Sequence, residues 1–291
     1  MAEPHVDVEQ VIDGVLEAER DADDVVDDTE QHGELAQTDK AGEAAEAGAC
    51  GALDGLPEEQ RVPDLGDDAL AVAGLVTVAD LDGVPLFYAR AGAPRPQSFA
   101  IESGFRDVVV ATVKSVRFRA PQGFGALVSI TSAGAFVNKP GAHGLGRAFD
   151  HDAWTFENVD IRPLRRDHAA SSRALRQRYW GLAAIIRSRS AFVLHGEYDA
   201  AHRDHIHQDN VAATRAFTTG SEAAVKLAQA ICKHVYANTS LAIDGDYGPL
   251  SRAAIREAMI SVDLPGDIFD NSQWHRFLLR SGRLGFELSL Q

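Results

Sequence analysis

Apolar residues recur at helical spacing in three stretches of the chain. The stretch from about His168 to Arg189 has arginines on one face and a stripe of apolar residues on the other: Leu175, Tyr179, Leu182, Ile185 and Ile186. This spacing predicts an amphipathic helix. SEAAVKLAQAICKHVYAN predicts a second helix, and LAIDGDYGPLSRAAIREAM predicts a turn and a third helix that begins near Gly248 and Pro249.

Shorter runs rich in β-branched residues predict strands. AVAGLVTVADLDGVPLFYARAG reads as two short β runs around an Asp-Gly turn, ALVSITSAGAFV as a strand, and AFVLHGEY as another. FRDVVVATVKSVRFR leaves two alternatives: an amphipathic helix capped by Ser103, or a strand because of its valines. Strands on both sides of one long helix predict an α+β domain of about 150 residues.

Charge divides the chain unevenly. Residues 1–68 contain 22 Asp and Glu but only Arg20, Lys40 and Arg61, while the rest has 21 acidic and 25 basic residues, a net charge of +4. A segment so rich in like charges buries too little apolar surface to offset its ordering entropy. We therefore expect a mostly disordered acidic tail at 1–68, an α+β domain with a small antiparallel sheet at 69–218, and a small all-α domain at 219–291.

Several protein classes are disfavoured by what the sequence lacks. It has no signal-peptide pattern at its start and no run of about 18 apolar residues, which predicts a protein made in the cytoplasm without a membrane span. Its two cysteines, Cys50 and Cys232, suggest neither a disulfide framework nor a metal site. No basic stripe with interleaved aromatic residues is present, which argues against nucleic acid as a partner.

Histidines are concentrated in the middle of the chain. Seven of the 11 lie between His143 and His207, and three of these fall in AHRDHIHQDN. In a strand, His205 and His207 would point to the same side. His143 and Asp150 could come from the two ends of a glycine-containing turn, AHGLGRAFD, and complete a metal site with these imidazoles.

Zinc suits such a set, because it takes imidazole and carboxylate ligands and leaves a fourth position to water in catalytic sites. A neighbouring group must then carry a proton. Asp204 is the obvious candidate in the sequence, and His205 is a rival for proton transfer or oxyanion stabilisation. Taken one at a time, these motifs also fit a polar strand face or a loop hydrogen bond, and His151, Asp152, His168, His195 and His202 fit surface or supporting positions better than ligand positions.

HGLGRAFD and DHIH together resemble the HxxGxAxD pattern and the second metal motif of the zinc D-alanyl-D-alanine peptidases and the related extensin-like C-terminal domains. The resemblance covers roughly residues 98–210 and implies one zinc ion bound by His143, Asp150 and His207, with Asp204 as the general base. These relatives also carry a Ser-Gly-Tyr-Arg motif whose arginine holds substrate. The nearest string here, Ser103 to Arg106, lies about 40 residues upstream of His143, so the substrate-binding residues stay unassigned.

IDGDYGPLSRAAI resembles the core of small helical peptidoglycan-binding modules, with the match carried by Asp244, Gly245, Gly248, Pro249 and Ser251. A helix–turn–helix with a favourable Gly-Pro start is the alternative reading. Beside a peptidase-like domain, the resemblance implies that both parts act on one polymer.

The sequence therefore predicts a zinc-dependent peptidase, a carboxypeptidase or endopeptidase, that cleaves peptidoglycan stem peptides next to D-amino acids. The alternative is an inactive wall-binding or structural protein with a zinc-stabilised domain. Because peptidoglycan lies outside the cytoplasm, we expect action in the periplasm or cell wall, of this cell or another. Delivery would be independent of a signal peptide, by a secretion or injection apparatus that engages the acidic tail.

Overall fold

The computed structural model describes residues 74–211 and 215–291. The predicted disordered tail, residues 1–68, lies outside the described residues. The strands are β1 Leu75–Val78, β2 Asp80–Leu81, β3 Val84–Tyr88, β4 Arg95–Pro96, β5 Phe99–Glu102, β6 Leu127–Gly134, β7 Ala148–Phe156, β8 Asp160–Ile161, β9 Phe192–Leu194 and β10 Ile206–Asp209. The helices are α1 Ser103–Arg119, α2 Arg173–Arg189, α3 Glu222–His234, α4 Pro249–Ser261 and α5 Asn271–Leu288.

The main sheet has the strand order β2-β3-β6-β7-β10-β9, with β4 beside β3 and β8 beside β7. Its pairs are antiparallel except β3 with β6, which are parallel. A mostly antiparallel sheet with flanking helices and an all-α C-terminal part confirms the α+β class. The predicted Asp-Gly turn joins β2 to β3, where Asp82 and Gly83 both have positive φ, as a tight hairpin turn requires.

The α1 segment is a helix, which decides between the two alternatives for FRDVVVATVKSVRFR. Its buried face includes Val109, Val113 and Val116. The predicted cap at Ser103 is wrong by one residue, because the carboxylate of Glu102 accepts the backbone N–H groups of Gly104 and Phe105. A glutamate is an uncommon cap, but its two oxygens satisfy two of the free donors at the helix start. The Ser103–Arg106 string is thus the first turn of this helix.

The other predicted elements are shorter than expected at their ends. Helix α2 begins at Arg173, after its cap Ser172, and His168 lies in a separate 3-10 turn, Asp167–Ala169. Only Phe192–Leu194 of AFVLHGEY is a strand. The last helix, α5, has no counterpart among the helices predicted from the sequence, and it follows the cap Asp270.

The α2 and α5 helices pack with their backbones almost in contact. A Cβ atom on Gly181 would lie 2.8 Å from the carbonyl oxygen of Gly282, and one on Gly285 would lie 2.7 Å from that of Gln177. The contact is extended by Phe286, whose ring lies 5.1 Å from that of Phe124. The C-terminal helices and the sheet therefore share one apolar core.

In the C-terminal part, the side chain of Gln229 organises the turn before α4. Its amide nitrogen donates to Asp244, Asp246 and Ser251, and its oxygen accepts the N–H of Gly245. The Asp244-Gly245 motif therefore has a structural role in this turn. None of the helices in residues 74–211 and 215–291 is long and apolar enough to cross a membrane.

Candidate metal centre

Glycines shape the turn that carries His143. The residue lies in a 3-10 turn, Ala142–Leu145, between β6 and β7. At Gly144 a Cβ atom would lie 1.9 Å from the carbonyl oxygen of Lys139, and Gly146 ends the turn with a φ of 67°, which favours glycine. The tight geometry proposed for these two glycines is therefore present, and it folds His143 back toward β7.

Sheet pairing supplies the other two residues. Asp150 on β7 lies directly opposite His207 on β10. Since side chains alternate along a strand, Asp152 shares the face of Asp150, while His151 projects to the other face. There His151 bonds to Gln208, whose amide reaches Thr112 on α1. His151 is thus buried among core residues, away from the centre.

Among residues 74–211 and 215–291, one group of three side chains could hold a metal ion: His143, Asp150 and His207, whose ligand atoms all lie within 4.8 Å of one another. Nε2 of His143 is 3.2 Å from Oδ2 of Asp150, and Nδ1 of His207 is 2.9 Å from Oδ1 of the same carboxylate. Tetrahedral ligands at about 2.0–2.2 Å from a metal lie roughly 3.3–3.6 Å apart, so small adjustments would accommodate an ion.

The outer nitrogens of both histidines are already engaged. Nδ1 of His143 lies 2.5 Å from the carbonyl oxygen of Ala135, and Nε2 of His207 lies 3.2 Å from a carboxylate oxygen of Asp209. A carbonyl only accepts, so Nδ1 of His143 carries a proton, and Nε2 is the ring nitrogen that faces Asp150. Outer hydrogen bonds of this kind orient the imidazoles of metal sites.

The ionisable side chains of this group shift one another's pKa values. Burial by itself would raise the pKa of Asp150, but His143 and His205 hold it well below its ordinary value. Burial would lower the pKa of His207, but hydrogen bonds to Asp150 and Asp209 raise it to about 10. His143 and His207 are each about 1% exposed, whereas 13% of the Asp150 side chain remains exposed. Solvent therefore reaches the group from the carboxylate side.

His205 shares the face of His207, as the alternation predicted, although β10 begins one residue later, at Ile206. Its Nε2 is 3.6 Å from Oδ1 of Asp150 and has no hydrogen-bond partner in the described part of the chain. Its Nδ1 is 2.8 Å from Oδ1 of Asp204. Thus His205 presents a ring nitrogen to the group.

Asp204 points elsewhere. Its carboxylate contacts His205 and the guanidinium of Arg90, and 38% of the side chain is exposed. The hydrogen bond with His205 lowers the pKa of Asp204. Burial opposes this effect, but the charge of Arg90 adds to it, and the pKa falls to about 2. A carboxylate with so low a pKa is a weak base near neutral pH. The general-base role assigned to Asp204 stays a prediction, and of the two candidates His205 is the one with a ring nitrogen near Asp150.

Sequence reasoning missed three groups around the centre. Asp209 lies two residues after His207 on the same strand face, a spacing that could have revealed it. The carbonyl of Ala135 has no side-chain signal at all. Arg90 lies 114 residues before its partner Asp204, and nothing in the sequence links them.

Other histidines surround the centre without joining the ligand group. His202 is fully buried, and its ring lies 5.1 Å from that of His205. Its Nδ1 bonds to Asp199 at 2.7 Å. Burial lowers the pKa of His202 to about 4, so the ring is neutral near pH 7. His151, His168, His195 and His202 are all buried, which excludes the surface positions considered for them.

Comparisons with known proteins give no assignment, since no family model, no curated protein and no solved structure matches this chain.

Proposed function

We propose that this protein is a zinc-dependent peptidase that hydrolyses peptidoglycan stem peptides next to D-amino acids, as a carboxypeptidase or an endopeptidase. The observation that carries the proposal is the pair of imidazoles, His143 and His207, each fixed by an outer hydrogen bond and facing the single carboxylate of Asp150. Two nitrogens and one oxygen form a ligand set typical of catalytic zinc. The motif pair HGLGRAFD and DHIH supports the choice of substrate.

Zinc, when bound by these residues, supplies a Lewis acid that polarises the scissile carbonyl and activates water. The chain's own residues divide the remaining work. His143, Asp150 and His207 hold and orient the ion, while Nε2 of His205 accepts a proton and returns it to the leaving amine. Asp204 keeps the His205 ring in place through Nδ1.

The first test separates metal binding from turnover. The full chain is loaded with zinc and incubated with purified peptidoglycan, and the released fragments are identified by mass spectrometry. We expect about one zinc per chain and new fragments cleaved beside a D-amino acid. His207→Ala should lose both zinc and activity, because it removes a ligand. Zinc-loaded protein that binds peptidoglycan but releases no fragment would contradict the proposal and favour the inactive wall-binding alternative.

The second comparison identifies the proton carrier. His205→Gln and Asp204→Asn should both retain zinc, since neither residue is a ligand. His205→Gln should lose nearly all turnover, and Asp204→Asn most of it. Asp107→Asn, an exposed carboxylate on α1, is the matched control and should behave as wild type. Full turnover in His205→Gln would return the base role to Asp204.

A further inference from the structure

We infer that Arg90 is a positioning residue for this centre: it holds the carboxylate of Asp204, which in turn fixes the ring of His205 with Nε2 toward the metal-binding group. The geometric part of this inference stands on the contacts alone. Its consequence for turnover rests on the proposed function.

Arg90 follows β3 and bridges two carboxylates. Its Nε and Nη2 lie 2.9 and 2.7 Å from the two oxygens of Asp152. Its Nη1 and Nη2 lie 3.1 and 3.3 Å from the two oxygens of Asp204. A planar guanidinium that pairs with a carboxylate in this two-point manner fixes direction as well as distance.

The two carboxylates that Arg90 contacts differ in their freedom to move: Asp152 is fixed, whereas Asp204 is held in place by Arg90. The Asp152 side chain is fully buried on β7, two residues from Asp150 and on the same face. The Asp204 side chain is 38% exposed and precedes β10, outside the sheet. Because a buried carboxylate on a central strand has little freedom, Arg90 transmits the position of β7 to the more exposed Asp204.

Asp204 then orients His205. A carboxylate accepts hydrogen bonds, so the 2.8 Å contact places a ring proton of His205 on Nδ1. The opposite nitrogen, Nε2, then faces the Asp150 carboxylate at 3.6 Å. Without the guanidinium, the hydrogen bond to His205 would be all that held the partly exposed side chain of Asp204, and both side chains could rotate.

The same contacts argue against Arg90 as an anchor for an anionic substrate group. All three of its nitrogens already contact carboxylate oxygens, and two negative charges surround its one positive charge. A substrate carboxylate would have to displace Asp204 to bind there. Arg90 therefore binds carboxylates of the protein itself, and other groups must recognise the substrate.

The test is the protonation pattern of His205, which requires neither substrate nor activity. The full chain, with 15N-labelled histidines, is studied by NMR as metal-free and zinc-loaded protein, and the His205 signals are identified by their loss in His205→Gln. In wild type we expect the proton on Nδ1. In Arg90→Gln we expect a mixture of the two ring tautomers, while zinc affinity stays within about threefold of wild type.

Control variants separate positioning from general damage. Arg106→Gln removes a guanidinium that pairs with Asp107 on the surface and should leave His205 unchanged. Arg90→Lys keeps the charge but lacks the planar fork, so it should restore only part of the Nδ1 population. If Arg90→Gln does not fold because Asp152 is left buried and unpaired, the double variant Arg90→Gln/Asp152→Asn removes that charge and should show the same tautomer mixture.

Activity provides the second measurement. If the proposed function holds, Arg90→Gln should lower kcat about 100-fold with little change in KM, because a misplaced proton carrier slows chemistry more than binding. An unchanged His205 tautomer in folded Arg90→Gln would overturn the inference. A wild type that cleaves nothing, with the tautomer shift still present, would overturn the proposed function but leave the positioning role intact.

Discussion

Two imidazoles that each turn a ring nitrogen toward the same carboxylate define the chemistry at the scale of single residues. The ring orientation of His143 is set by the carbonyl of Ala135, and that of His207 by Asp209. Neither ring can flip without leaving a buried polar group unsatisfied, which would cost about 1–3 kcal/mol. The two ring orientations are therefore set before any cation binds.

Because Asp209 orients the His207 ring, we expect weaker zinc binding when Asp209 is changed. Its two oxygens serve different donors, Nε2 of His207 and the backbone N–H of Val211. An amide has only one oxygen, so Asp209→Asn should weaken zinc binding roughly 10- to 100-fold. Isothermal titration of the metal-free protein measures this, with Asp107→Asn as the control. Equal affinities in the two variants would mean that Asp209 does not orient His207.

Glycines decide how the helices meet, and this is the main feature at the scale of elements. Gly181 on α2 faces Gly282 and Gly285 on α5, and the backbones approach so closely that no Cβ atom fits without movement. Because α2 also packs against the sheet, its position links the C-terminal helices to the strands that carry Asp150 and His207.

A methyl group at this contact should separate the helices. Gly285→Ala places a Cβ atom 2.7 Å from the carbonyl oxygen of Gln177, and we expect a loss of about 1–3 kcal/mol in the free energy of unfolding. Urea denaturation provides the measurement. Gly220→Ala, where the nearest atom is 3.6 Å away, is the control and should change stability by less than about 0.5 kcal/mol. Equal effects in the two variants would contradict the close packing of α2 and α5.

At the scale of the whole molecule, one apolar core runs from the sheet to the C-terminal helices. It includes Phe124 after α1, Trp180 on α2 and Phe286 on α5. The domain boundary near residue 218 stays a prediction. Buried histidines on this shared core make its stability depend on pH.

His195 is the clearest example. It is fully buried, and burial lowers its pKa from about 6.5 to about 3. The unfolded chain takes up a proton below about pH 6.5, whereas the folded state stays neutral until about pH 3. Its contribution to stability is therefore complete above pH 6.5 and decreases as the pH falls, by up to about 1.4 kcal/mol per pH unit.

Urea denaturation of metal-free protein at about pH 7, 6 and 5 tests this dependence. His195→Gln removes one titrating group, so its stability should fall less steeply than that of wild type over this range. The difference between the two slopes isolates His195, because every other ionisable group is the same in both proteins. Parallel slopes would show that His195 does not gain its proton on unfolding.

The sequence by itself determined the local features of this protein. Helical spacing located α2, α3 and the start of α4, and strand alternation placed His205 and His207 on one face, because these patterns depend on backbone geometry over a few residues. Two short motifs, 57 residues apart, identified the three residues that come together. The two motifs could be linked because each contains residue types that bind metal ions.

Only the tertiary structure decided what surrounds them. The sheet register set His207 opposite Asp150, the packing of three strands brought Arg90 between Asp152 and Asp204, and the backbone of Ala135 fixed the His143 ring. These contacts join residues with no common local pattern, and carbonyl groups leave no trace in the sequence. The candidate ligands were therefore accessible from two motifs and the family resemblance that they carry, whereas the groups that orient them depend on long-range packing, which local spacing does not encode.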